Sequence, residues 1–112
     1  MIIKTQTLID TALDWAVAKC EGLTQGQIAQ DAVNHGFYNP STDWAQGGPI
    51  IERERIEVFY IRIDDDNEPE WGASKYGTSV EQSGPTPLVA AMRLYVASKL
   101  GDEVEVPDEV AA

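Results

Sequence analysis

Few residues in this chain are of a type that does chemistry. The one histidine, His35, stands in the turn sequence Asn34-His35-Gly36, and the one cysteine, Cys20, has only Lys19 nearby to lower a thiol pKa. A single His leaves no pair for a metal, and any Ser, His, Asp arrangement must run through His35. Asp64, Asp66 and Glu68 alternate like the first ligands of a calcium loop. Position six of that loop is Pro69 instead of Gly and position twelve is Lys75 instead of Glu, so the run reads as the solvated tip of a hairpin. Gly47 and Gly48 are too few and wrongly spaced to cradle a phosphate. The expectation is a protein without catalytic residues, cofactor or metal.

What remains is recognition chemistry. Thr42, Asp43, Trp44, Gln46, Gly47 and Gly48 fall in one stretch, STDWAQGGP, and Arg53, Trp71 and Arg93 add the Trp and Arg types that anchor binding surfaces. A connection of this length needs no Trp, and paired glycines let a backbone come close to something. If that something is internal, Trp44 is a core plug; if it is external, Trp44 is an anchor. The sequence leaves both open.

At 112 residues the chain has the length of one domain and buries roughly two-thirds of the surface its unfolded form exposes. Nineteen acids against eight bases give a net charge of −11, which argues against direct nucleic-acid binding, since that depends on clustered Lys and Arg. The N-terminus lacks the basic start and long apolar core of a signal peptide, and no apolar run approaches the ~20 residues that span a bilayer. These features point to the cytoplasm and away from membranes.

The elements that must position the candidate residues are legible in part. Pro87 to Leu100 is apolar almost all round, with Thr86 placed as N-cap, Pro87 at the first helical position and Gly101 closing it; such a helix packs on both sides, and we take it as the central core helix. Leu8 to Glu21 is an amphipathic helix with Thr7 as its cap and Gly22 at its left-handed end. Thr24 to Asn34 suggests a shorter second helix. His35 to Pro49 reads as loop, with at most a single turn at Asp43 and Trp44, and Pro49 to Ile56 as a short helix begun by Pro49. Glu57 to Asp64 has strong β-propensity with apolar residues at both parities, so both its faces should be covered. Trp71 to Tyr76 is the returning strand, and Tyr76 to Gln82 a polar connection. The tail adds a short extended piece at Val104 and Val106 before fraying. The fold class is α+β: a small antiparallel hairpin, about 57–76, packed against the 8–21 and 87–100 helices.

ALDWAVAKCEG (Ala12 to Gly22), STDWAQGGPIIERERI (Ser41 to Ile56), WGA (Trp71 to Ala73) and GPTPLVAAMRLYVASKLGDEVEVP (Gly84 to Pro107) together resemble the NinX family of lambdoid phages and prophages. The blocks span nearly the whole chain in the family's order, and Leu23 to Pro40 falls where the family varies. The resemblance implies a phage-derived gene acting in a bacterial cell, and it brings no catalytic residues. More remotely, the pattern is similar to small phage α-β-α sandwich domains. Three functions fit: a non-catalytic module that binds a host or phage protein, a sponge for a small anionic or nucleotide-like ligand built on Trp44 and a cation such as Arg53 or Arg93, or an acidic mimic of nucleic acid.

Overall fold

The computed structural model describes residues 1–24 and 38–111, so most of the expected helix from Thr24 to Asn34, with His35 and Phe37, lies outside the described residues. Helix α1 spans Asp10–Cys20, α2 Trp44–Glu54, α3 Pro87–Leu100 and α4 Asp108–Ala111; strands are β1 Ile2–Lys4, β2 Ile56–Ile63, β3 Pro69–Lys75, β4 Glu81–Gly84 and β5 Glu103–Glu105. Strands β2, β3 and β4 form one antiparallel sheet in that order, and β1 pairs with β5, Ile3 opposite Val104, to tie the two ends of the chain.

Helix α3 is the centre. Leu88 through Ala97 are all buried, because the sheet lies on one side of the helix and α1 on the other. Its ends match the sequence reading: the Thr86 hydroxyl accepts from the Val89 N–H at 3.0 Å, and Gly101, at φ +89, returns its N–H to the Ala97 carbonyl. Arg93 is the exception on this apolar helix. It is 7% exposed and spends its guanidinium on the backbone, Nε donating to the Leu8 carbonyl at 2.8 Å and Nη1 to the Ser83 carbonyl at 2.8 Å.

Helix α1 ends as expected, with Gly22 in the left-handed region and Leu23 N–H reaching back to the Ala18 carbonyl at 3.0 Å. Its start differs. Thr7 belongs to a short 3-10 turn, Thr5–Thr7, and its hydroxyl bonds the Lys4 carbonyl, so α1 begins at Asp10 without a side-chain cap.

Helix α2 is longer than its sequence suggests. Asp43 caps it, its carboxylate accepting from Ala45 N–H at 2.9 Å, and the helix runs through Gly47 and Gly48, which the sequence reading placed in a loop, and on past Pro49, where that reading began the helix. Pro49 costs one helical bond, the one Ala45 would have accepted. Gly47 is buried because a Cβ there would collide with the Pro40 carbonyl and come within 2.6 Å of Leu88, whereas at Gly48 a Cβ would meet nothing within 4 Å. The close approach that paired glycines suggested is thus internal and belongs to one of the pair.

The hairpin is confirmed in place, with Val58 opposite Ala73 and Tyr60 opposite Trp71. Asp64 closes its tip: one carboxylate oxygen accepts from the N–H groups of Asp66 at 3.0 Å and Glu68 at 2.9 Å. Two expectations about the sheet are corrected. The polar connection contains a third strand, β4, whose Gly84 lies so close to α3 that a Cβ there would stand 2.9 Å from the Ala90 nitrogen. And β2 is not covered on both faces: Phe59, Tyr60, Ile61 and Ile63 are 41 to 55% exposed. As the edge strand it meets only β3 laterally, and α3 reaches its inner face from Ile56 toward Val58, leaving the rest open among the described residues.

Candidate functional site

Three helix starts converge on one open groove of about 310 Å³, walled by Ile9 and Asp10 at the head of α1, by Thr42 and Trp44 at the head of α2, and by Pro85 and Pro87 at the head of α3. Trp44 is 56% exposed and Ile9 44% exposed, so the groove offers apolar surface to solvent at its mouth.

Each wall is held by a contact that the sequence encodes locally or at one remove. The Asn39 carbonyl accepts from Thr42 and Asp43 N–H, and the Gln46 amide closes the same turn, its Nε2 donating to Asn39 Oδ1 at 2.8 Å and Asp43 Oδ2 at 3.0 Å. Asp14, buried on α1, accepts from Ser41 N–H at 2.9 Å and so locks this turn to α1. Burial pushes the Asp14 carboxyl above its ordinary range, and the Ser41 bond works against that shift. Arg93 sets the other two walls: its carbonyl acceptors, Leu8 and Ser83, stand just before Ile9 and just ahead of Gly84 and Pro85.

Of the nine candidate residues, the groove brings together Thr42 and Trp44, with Asp43 capping behind them; Gln46 and Gly47 form the support, and Gly48 faces open space. Arg53 is at the far end of α2. Its Nη2 donates to Glu21 at 2.9 Å and to the Tyr95 hydroxyl at 3.2 Å, its Nε donates to Glu54 at 2.9 Å, and its charge sits 5.7 Å from the Tyr95 ring centre. Glu54 also accepts from Lys75 at 2.9 Å, and these cations hold its carboxyl down at about 2. That cluster joins α1, α2, α3 and β3 at a point away from the groove. Trp71 lies on the inner sheet face against Tyr60, ring centres 5.3 Å apart.

Sequence reasoning missed Ile9, which it placed on the buried face of the 8–21 helix, and Pro85 and Pro87, which it read only as helix-starting residues; only the packing of three helix starts makes them neighbours. It also missed the open side of β2. Burial pushes the Cys20 thiol up to about 11, which keeps it protonated at neutral pH, and among the described residues no three His, Cys, Asp or Glu gather as metal ligands would. Nor is any described helix long and apolar enough to cross a membrane.

Fold and groove together define a small α+β domain with an open groove edged by an exposed Trp44. The family model described as Bacteriophage P22, NinX matches residues 4–99, from β1 to the last turn of α3, and the chain belongs to that family. It is a phage accessory protein. No curated protein matches the chain.

Proposed function

We propose that the protein is a non-catalytic binding module whose Trp44 groove receives an apolar side chain of a host or phage protein. The observation that carries this reading is the position of Trp44: a large aromatic in the first turn of a helix, more than half exposed, beside a groove whose walls are fixed from behind by buried hydrogen bonds. An anchor of this kind binds through area at little cost in side-chain entropy. Asp10 on the rim and the net charge of −11 favour a partner that flanks its apolar residue with Lys or Arg.

An anionic or nucleotide-like ligand fits the groove less well. Neither Arg53 nor Arg93 lines it, one being held by Glu21 and Glu54 and the other by two carbonyls. The test is capture from infected-cell lysate with the wild-type chain and Trp44→Ala, with small-molecule extracts of both baits run in parallel. The variant should keep its stability within about 1 kcal/mol, as exposed positions do, and lose a captured protein. A large stability loss would make Trp44 structural, and a small anion lost in place of a protein would favour the ligand reading.

A further inference from the structure

The two edges of the three-stranded sheet are treated differently. At β4 the Gln6 side chain acts as a one-residue partner strand, Nε2 donating to the Ser83 carbonyl at 3.0 Å and Oε1 accepting the Ser83 N–H at 3.1 Å. The edge of β2 is twice as long and more apolar, and among the described residues no strand pairs with it. A strand edge of that length is a template for another strand.

We propose that this edge is closed by a second copy of the chain, the two β2 strands pairing antiparallel about a two-fold axis at Phe59 to make one six-stranded sheet.

The register follows from the ladder. Tyr60 pairs with Trp71 but Arg62 pairs with Glu70, so Ile61 is an extra residue and the strand changes parity there. Glu57, Phe59, Ile61 and Arg62 therefore share the outer face, and Ile56, Val58, Tyr60 and Ile63 the inner one. The position of Ile61 agrees: a Cβ on outer-facing Gly72 would meet Phe59 at 2.5 Å and Ile61 at 3.0 Å. With Phe59 opposite its own copy, every opposed pair lies on one face. Val58 faces Tyr60 of the second copy, Ile56 faces Ile63, and Glu57 faces the bulged pair Ile61 and Arg62. Arg55, the left-handed C-cap of α2, and Asp64, which closes the hairpin tip, lie just beyond the two ends of the strand. The Glu57 to Arg62 ion pair occurs twice by symmetry.

Neighbouring registers fail on charge. Sliding by two residues in one direction sets Asp64 against Glu57, and in the other sets Arg62 against Arg55. Like charges directly opposite destabilise a strand pair, so the charges select one register. This specificity matters in a chain of net charge −11, where association without local complementarity is opposed by repulsion.

The test is sedimentation of the full chain over a range of concentrations. The wild type should approach twice the monomer mass. Glu57→Arg and Arg62→Glu should each weaken self-association at least about tenfold, because each puts like charges in register. Mixed together, the two variants should associate again as a heterodimer, since every opposed pair is then complementary. Cooperative thermal melts of each dilute variant show that the fold is intact, the Arg62→Glu melt being lowered by loss of the 3.2 Å Arg62 to Glu70 pair within the sheet. A wild type that stays monomeric throughout overturns the proposal. So does a dimer indifferent to both reversals, or a pair of folded variants that do not recombine; a β2 edge that takes only a different protein would appear as the first of these outcomes.

Discussion

Helix α3 and strand β2 are the two most apolar segments of the chain, and the sequence reads them alike: apolar on every side, hence covered on every side. The helix meets that reading and the strand does not. Helix α3 has a sheet on one flank and α1 on the other, so its ten consecutive residues from Leu88 to Ala97 are buried. Among the described residues, strand β2 has one lateral neighbour and one partial cover, and four of its large side chains stay open. Periodicity reports how many faces a segment would bury, and not whether its own chain supplies the cover. Where it does not, apolar surface stays unburied.

The comparison breaks first, and most visibly, at its centre. Met92, fully buried in α3, should cost about 2 to 5 kcal/mol on truncation to Ala, while Phe59→Ala, at the outer face of β2, should cost about 1 kcal/mol or less. Denaturant melts of the two dilute variants measure both; equal losses would mean that β2 is as well packed as α3. The same contrast recurs one residue apart in α2. Gly47→Ala should destabilise by about 1 to 3 kcal/mol because its Cβ drives into Pro40 and Leu88, which cannot both move. Gly48→Ala should instead gain about 0.5 to 1 kcal/mol, as Ala for Gly does in an open helical position. A thermal melt showing both changes with the same sign would contradict the packing.

The smallest effect sharpens how the two regions are joined. Glu54 takes Lys75 from β3 and stands 4.0 Å from Lys99 at the end of α3, so it bridges the sheet and the core helix. Its folded pKa lies below the unfolded value, so its contribution is fully present above the ordinary carboxylate range, near 4.5, and is lost as pH falls toward about 2. Glu54→Gln should therefore flatten the acid limb of the stability curve and leave its slope above neutrality unchanged. Stability profiles of the two proteins that stay parallel from pH 5 down to 2 would show that the bridge carries nothing.

Parts of this structure were written in short stretches of sequence. The Thr86, Pro87 and Gly101 ends of α3, the Gly22 end of α1 and the Asp64 to Glu68 hairpin tip depend on backbone groups within a few residues, and chemistry at that range is visible without a fold. The start of α2 was hidden for the opposite reason. Gly-Gly-Pro is helix-breaking by local preference, and only the pressure of Pro40 and Leu88 on Gly47 makes a glycine useful there. The candidate residues divided along the same line. Trp44 and Thr42 stand together because they are near in sequence, whereas Arg53 and Arg93, placed with them by type alone, answer to Glu21 and Glu54 on one side and to the Leu8 and Ser83 carbonyls on the other.

By itself, then, the sequence determined the α+β class, the core helix with its caps and the hairpin, because composition, periodicity and capping act over one or two turns of chain. Tertiary structure alone decided that Trp44 faces solvent, that Arg93 is an internal clamp, that three helix starts make one groove and that β2 is an open edge. Each of these depends on which distant segment arrives to cover a side chain, and burial, unlike propensity, is a property of two pieces of chain at once.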